Sequence, residues 1–285
     1  MDQSQDTLIH IRQSKSLINF NIREIAKYRD LLLLLMYRDF SSKYKQTILG
    51  PAWFVIQPLL TTLVFVVIFT VLAGIPTDGI PPFLFYLCGL LVWNYHSGIL
   101  QTNGNTFQAN MQLFGKVYFP RILIPFSASF SQLIGWFIQL VTFLLIFGYF
   151  KFFTESGANI NPQWTILLLP LLVIQTGLVS LGTGFWLSSL TAKYRDLQHM
   201  QGFIVQMWMY LSPIVYPLSR VPEKYQWLAI LNPLAMIIEN LKFIFFGTEP
   251  TNPIWTAISV TVSLAVFLSG WVVFNKVEKS FIDSV

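Results

Sequence analysis

Chemistry in this sequence of 285 residues has few places to start: three histidines, one cysteine, and the charged side chains that separate its apolar runs. His10, His96 and His199 form no H-x-x-x-H pair and Cys88 is the single thiol, so neither a metal cluster of local spacing nor a disulfide framework is expected. His96 follows Trp93, Asn94 and Tyr95 inside an apolar run. It could serve an intramembrane transferase as general base, or sit neutral and hydrogen-bonded in a helix bundle; the run holds no carboxylate to orient the ring, which favours the bundle. The sequence also lacks the G-x-x-x-x-G-K-[ST] loop whose backbone N–H groups and lysine hold nucleotide phosphates. Any work done through this chain must be powered by a partner.

Uncharged side chains carry more information. Tyr and Trp combine an apolar face with a polar edge, which suits a sugar ring and its hydroxyls. Trp136, Trp208 and Tyr210 stand in mid-run, with Trp93 and Tyr95 in an earlier run, and are candidates to line a wet, uncharged conduit. The rival explanation, gathering of Trp and Tyr at membrane interfaces, covers the aromatics near run ends. In 102–121, Asn105 to Phe114 can form a short helix with Phe107, Met111 and Phe114 at i, i+4, i+7, a stripe that would dock in a partner's groove or pack on neighbouring helix ends. Lys193, Arg195 and Asp196 make a charged turn, which reads as a solvated loop or a second contact point. Arg38, Lys43 and Lys45 form a basic cluster that would attract anionic head groups, or would reflect only the usual surplus of cations on the cytoplasmic side.

The elements that must position these residues follow from charge and hydropathy. Hydrophobic residues make up 54% and charged residues 11%, against about 25% charged in soluble domains, and the mean hydropathy is +0.58. An ordinary soluble enzyme is excluded. The formal charge of +5 would suggest nucleic acid in a soluble chain, but the charges gather at the N-terminus and between apolar runs, so no nucleic-acid partner is expected. Six runs, 52–73, 82–101, 122–150, 164–190, 201–217 and 254–275, contain no Asp, Glu, Lys or Arg, and crossing a hydrocarbon core takes about 20 residues. The expected fold class is an all-α polytopic membrane protein with six transmembrane helices. Spans without an ionisable group also argue against proton- or sodium-driven transport. The segments 1–51, 102–121, 191–200 and 276–285 hold 14 of the 18 Lys and Arg, so both termini are expected in the cytoplasm. The opening tail, 1–21, is polar and lacks the apolar centre of a signal peptide.

Two further segments are too apolar for loops. Residues 22–48 place Ile22, Ile25, Tyr28, Leu32 and Leu35 at helical spacing, and the run 31–36 is too short to cross, so an amphipathic helix in the membrane interface is expected. Residues 222–247, split at Asn232-Pro233, read as a re-entrant helical hairpin dipping into the outer leaflet before the last span. Ser127, Ser131 and Gly135, and likewise Ser180, Gly184 and Ser188, recur every four residues, which lets helix backbones approach closely unless the spacing is chance.

A set of short motifs then follows in order. Tyr37-Arg38-Asp39, Tyr44 to Gly50, Trp53 and Gln57-Pro58-Leu59 come first, followed by Cys88 to Trp93, Lys116 to Arg121 and Tyr194-Arg195-Asp196. Ser212 to Pro217, Leu231-Asn232-Pro233 and a terminal 274–283 segment with Glu278 and Phe281 complete it. From about residue 22 onward this set resembles the ABC-2-type permeases of bacterial polysaccharide exporters, O-antigen and teichoic acid exporters among them. Gly115, where Ser is common, and Asn275, where a basic residue is usual, depart from the pattern and bear on cargo choice. The resemblance implies a permease, not an enzyme, that pairs with a second copy of itself and binds two separate ABC ATPase subunits. Those subunits would carry the ATP and Mg, with no cofactor in this chain. It implies export of a polyprenyl-diphosphate-linked polysaccharide across the inner membrane. On this reading 22–48 is the interface helix, with Arg38, Lys43 and Lys45 toward the lipid diphosphate, and 102–121 is the coupling loop. Phe107, Met111 and Phe114, with Arg195 and Asp196, would meet the ATPase, and 222–247 would be the outer gate, bent at Asn232 and Pro233. Other lipid-linked glycans or a small lipid or drug would suit the same topology. A membrane-embedded transferase and a passive scaffold are the alternatives of other classes.

Overall fold

The computed structural model describes residues 27–45, 47–114, 116 and 119–282. The tail 1–21, the first residues of the interface helix (22–26), Gln46, Gly115, Val117, Tyr118 and Asp283 lie outside the described residues, as do the side chains of Lys43, Tyr44 and Phe281. Proline sets several helix starts, because its fixed φ suits the first turn and its missing N–H would have no partner there. Pro82 opens α3 (Pro82–Asn103), which follows α1 (Arg29–Tyr44) and α2 (Trp53–Phe65), the latter entered through a 3-10 turn at Gly50–Ala52. Pro58 inside α2 removes a backbone donor, and beyond Phe65 the helix widens into a π-helical stretch, Val66–Leu72.

After α3 come two single turns, α4 (Thr106–Ala109) and α5 (Met111–Phe114), then α6 (Leu123–Phe153), α7 (Leu169–Lys193) and α8 (Leu197–Leu211). The chain ends with α9 (Glu223–Leu231), α10 (Pro233–Phe246) and α11 (Pro253–Ile282). Among the described residues, five segments are long and apolar enough to cross a membrane alone: Gly50–Leu72, Pro82–Asn103, Leu123–Phe153, Trp164–Lys193 and Pro253–Lys279. The count reaches six if the bent pair α9 and α10 is taken as one span. That pair turns by 99° at Asn232, the re-entrant hairpin expected at 222–247.

The run 201–217, expected as one helix, is built differently. Helix α8 has 15 residues, about 22 Å at 1.5 Å per residue, and 212–217 continues in turns. Non-helical backbone at membrane depth needs shielding by protein. Ser212, Pro213, Ile214 and Val215 are all buried.

Helix α3 is the central column, buried along most of its length among α2, α6, α7, α8 and α10. The small-residue rows mark close contacts around it. A Cβ on Gly184 would lie 2.8 Å from Cβ of Asn103 in α3, and one on Gly135 would run into the Phe54 ring of α2. The amphipathic interface helix is present as α1. Its Tyr28, Leu31, Leu32 and Leu35 pack with Phe119, Leu123 and Ile124 at the start of α6, while Leu33, Leu34 and Tyr37 are exposed on the opposite face.

Candidate functional site

At the end expected to be cytoplasmic, the loop after α3 is stitched to the turn between α7 and α8. Thr191 Oγ1 donates to the carbonyl of Gly104, and Gln108 Nε2 donates to the carbonyl of Thr191 at 2.8 Å. Gln198 donates to Gln108 Oε1, and Gln201 Nε2 donates to the carbonyls of Leu100 (3.0 Å) and Gln101 (2.9 Å). These contacts bring together two features separated by some 85 residues of sequence. Gln108, Met111, Ala192 and Arg195 line a shallow hollow of about 270 Å³ between them.

The expected helix over 105–114 is corrected. It is two turns, α4 and α5, broken at Asn110, whose side chain donates back to the Thr106 carbonyl at 2.9 Å while its own carbonyl accepts from Leu113 and Phe114. The stripe does not stay together either. Phe107 is buried and stacks on Phe274 of α11, with ring centroids 4.8 Å apart. Phe114 is half-buried under the Arg121 guanidinium, 4.9 Å from its ring centroid. Met111 alone stays exposed, at 37%. Phe107 and Phe114 thus pack within the protein, and Met111 is the exposed member of the stripe. Arg121 continues inward: its backbone N–H donates to Glu278 Oε1 at 3.4 Å and its Nη1 to the Glu278 carbonyl at 3.2 Å. Burial lowers the pKa of Arg121, and the Glu278 charge acts in the opposite direction. Arg195 and Asp196 are exposed at the rim.

In the basic cluster, Arg38 is paired with Asp39 through Nε (3.0 Å) and Nη2 (2.7 Å), and Asp39 Oδ2 accepts from Ser127 Oγ at 3.3 Å. Lys45 is exposed just beyond α1.

The aromatic candidates divide by burial. Trp93 and Tyr95 are 5% and 7% exposed, so both side chains pack in the core of this copy. Tyr210 is 42% exposed, on a face of α8 that also exposes Phe203, Met207 and Leu211. Trp136 is half-buried against Tyr95, at 6.3 Å between ring centroids. Trp208 turns inward: its ring meets His96 edge-on at 4.8 Å and its Nε1–H donates to Asn232 Oδ1 at 3.2 Å. His96 is the bundle histidine of the two readings, fully buried with Nδ1 2.8 Å from Ser180 Oγ. Ser180 itself donates to the Thr176 carbonyl, so the ring is the donor in that bond.

At the expected gate, Asn232 caps α10 by accepting from the Leu234 N–H at 3.2 Å, and Pro233 fills the first helical position. The Asn232 amide also donates to Ser212 Oγ at 2.9 Å. One buried group escaped the sequence reading. Glu239 and Lys242, which stand at i, i+3 in α10, form an ion pair of 2.8 Å with Lys242 only 2% exposed. Their spacing was the available signal, but Lys242 counts there only as one of four basic residues on the outer side.

The family model for the ABC-2 type transporter matches residues 30–246, from α1 through the end of the hairpin. The chain belongs to this family. ABC-2 type transporters of this build are multi-pass membrane permeases rather than enzymes, and among the described residues no group of three or more His, Cys, Asp or Glu could hold a metal. The chain is also 26% identical over 269 residues to the O-antigen export system permease protein RfbA of Myxococcus xanthus, covering 93% of this chain and 98% of that protein. A protein of the same name from Klebsiella pneumoniae is 28% identical over 257 residues, covering 89% and 94%. In ABC-2 terms, the described contacts run from the loop after α3, through α8, to the hairpin that precedes the last span.

Proposed function

We propose that this chain is the membrane-spanning subunit of an ATP-driven exporter for a polyprenyl-diphosphate-linked polysaccharide of the O-antigen kind. It works as a dimer with two separate ABC ATPase subunits in the bacterial inner membrane, with both termini in the cytoplasm. The observation that supports this most is the nearly end-to-end similarity to permeases named for O-antigen export. The six apolar runs carry no Asp, Glu, Lys or Arg, and the half-buried Glu239 and buried Lys242 of the hairpin are paired with each other, which supports an external power source.

The polymer passes between two copies along the exposed face of α8, where Tyr210 offers a ring to sugar, with Trp136 and Trp208 contributing once their helices part. The lipid diphosphate is drawn to the inner leaflet by Lys45 and Lys43, and by Arg38 when it leaves Asp39. Closure of the ATPase dimer on ATP favours one arrangement of the permease over another, the differential affinity that any driven switch requires. The push enters at Met111, Arg195 and Asp196. Gln198 and Gln201 pass it to α8, and Trp208 passes it to Asn232 at the bend of the outer gate.

Disrupting the gene in a strain that makes the glycan tests this reading. Complete polymer should accumulate inside the cell and vanish from the surface, and a Tyr210→Ala protein should restore less surface polymer than the wild type. Normal surface glycan with lost efflux of a small lipid or drug would move the cargo to that class. Loss of polymer synthesis itself would point to a transferase.

A further inference from the structure

Lys242 lies in α10 with its three N–H groups facing three partners: Glu239 Oε1 at 2.8 Å, the carbonyl oxygen of Pro213 at 2.9 Å, and the face of Phe85 with its centroid at 4.0 Å. One nitrogen thus joins α10, α3 and the break that follows α8. The bond to Pro213 has a specific task. Pro213 lies in the turns beyond Leu211, and even a continued helix would leave its carbonyl without a donor, because the residue four places on, Pro217, has no N–H; a buried carbonyl without a partner is costly. A charged donor at 2.9 Å meets that need and fixes where the break sits. The break is also pressed on α3, since a Cβ on Gly89 would lie 3.1 Å from Cγ2 and 3.3 Å from Cα of Ile214.

We propose that Lys242 is a positioning residue that holds the outer gate closed at rest, by pinning the break at 212–217 to the second helix of the hairpin through the Pro213 carbonyl. Glu239 Oε1 takes another of the ammonium's N–H groups, and the pin is the bond to Pro213. The inference rests on the exporter reading, with 222–247 as its outer gate.

The experiment uses the permease reconstituted with its ATPase subunits in liposomes loaded with carboxyfluorescein, without ATP. Dye efflux and melting temperature are read for wild type, Glu239→Gln, Lys242→Met and the double variant. Wild type and Glu239→Gln should stay tight, because the amine still reaches Pro213, although Glu239→Gln should melt lower. Lys242→Met and the double variant should lose dye about tenfold faster, the order of effect that one charged hydrogen bond has on an equilibrium. The double variant should melt below wild type, because the Pro213 carbonyl loses its donor, but above Lys242→Met, because it leaves no lone half-buried carboxylate; an equal leak in both Lys242 variants then reports the missing pin rather than misfolding. A tight double variant, or a leak in Glu239→Gln equal to that of Lys242→Met, overturns the proposal. The same liposomes given ATP and a lipid-linked glycan separate the two levels. Transport by wild type beside a tight double variant sinks only the pin, and no transport by wild type sinks the exporter reading and the gate with it.

Discussion

The indole Nε1–H of Trp208 and the backbone N–H of Leu234 both donate to Oδ1 of Asn232, each at 3.2 Å. A single amide oxygen therefore caps α10 and ties it to α8. Trp208→Phe removes the first donor while keeping a ring against His96, and Asn232→Ala removes the acceptor. Each change should destabilise the detergent-purified protein by about 1 kcal/mol, the usual worth of a hydrogen bond or helix cap. Because both cut the same bond, the double variant should lose roughly 0.5–1.5 kcal/mol less than the sum. Additive losses in thermal unfolding would show that the bond contributes no energy.

The split of the coupling stripe predicts opposite phenotypes for neighbours. Phe107 is enclosed by Phe185, Trp271 and Phe274, so Phe107→Ala should cost roughly 3–5 kcal/mol and lower the amount of folded protein. Met111→Ala and Arg195→Glu remove exposed groups beside the hollow, and each should change stability by no more than about 0.5 kcal/mol. Their effect should appear instead as weaker co-purification of the ATPase subunits and less stimulation of ATP hydrolysis. Intact stimulation with both surface variants would take the hollow out of the coupling path.

Five of the six expected crossings and the hairpin were legible because membranes impose coarse signals, long uncharged runs and an Asn-Pro pair that must interrupt a helix; the run 201–217 is as uncharged as the others but breaks after Leu211. Finer placement was not. Helix α3 is packed on every side, so it has no polar face to reveal that Trp93 and Tyr95 point into a core. The break at Asn110 depends on a side chain competing for a backbone carbonyl, which spacing does not register. Leu32 and Leu35 were readable as one stripe of α1, but Leu33, Leu34 and Tyr37 form another, and only packing decides which one meets α6. The role of Lys242 needed the Pro213 carbonyl, 29 residues away in sequence.

Arg38 and Lys45 should differ although both stand in the basic cluster. Arg38 donates twice to the single oxygen Oδ1 of Asp39, so it has to leave that partner before it can meet a diphosphate, and a surface pair of this kind contributes about 0–1 kcal/mol. Lys45→Ala should weaken binding of a polyprenyl diphosphate by roughly 1 kcal/mol at low salt, about fivefold, with the difference shrinking as salt rises. Arg38→Ala should weaken it less. Titrating each purified variant with the lipid at two salt concentrations checks the order, and an unchanged affinity for Lys45→Ala would leave the cluster with an anchoring role alone.

Helices α7 and α11 meet backbone to backbone. A Cβ on Gly182 would lie 2.7 Å from the backbone N and Cα of Phe267, and one on Gly270 would collide with the carbonyl of Gly182. Backbone cannot turn aside as a side-chain tip can, so any side chain at either site must push the helices apart. Membrane helices associate largely through such close packing, having no hydrophobic drive between them. Gly182→Ala and Gly270→Ala should therefore each cost roughly 1–3 kcal/mol, as overpacking does. Gly148 in α6 is the control, since nothing lies within 4 Å of where its Cβ would be. There the same change should be neutral or raise stability by up to about 1 kcal/mol, through the lower backbone entropy of Ala in a helix. Melting temperatures of the three variants in one detergent decide it: equal shifts at all three positions would mean that helix propensity, not the crossing of α7 and α11, governs these glycines.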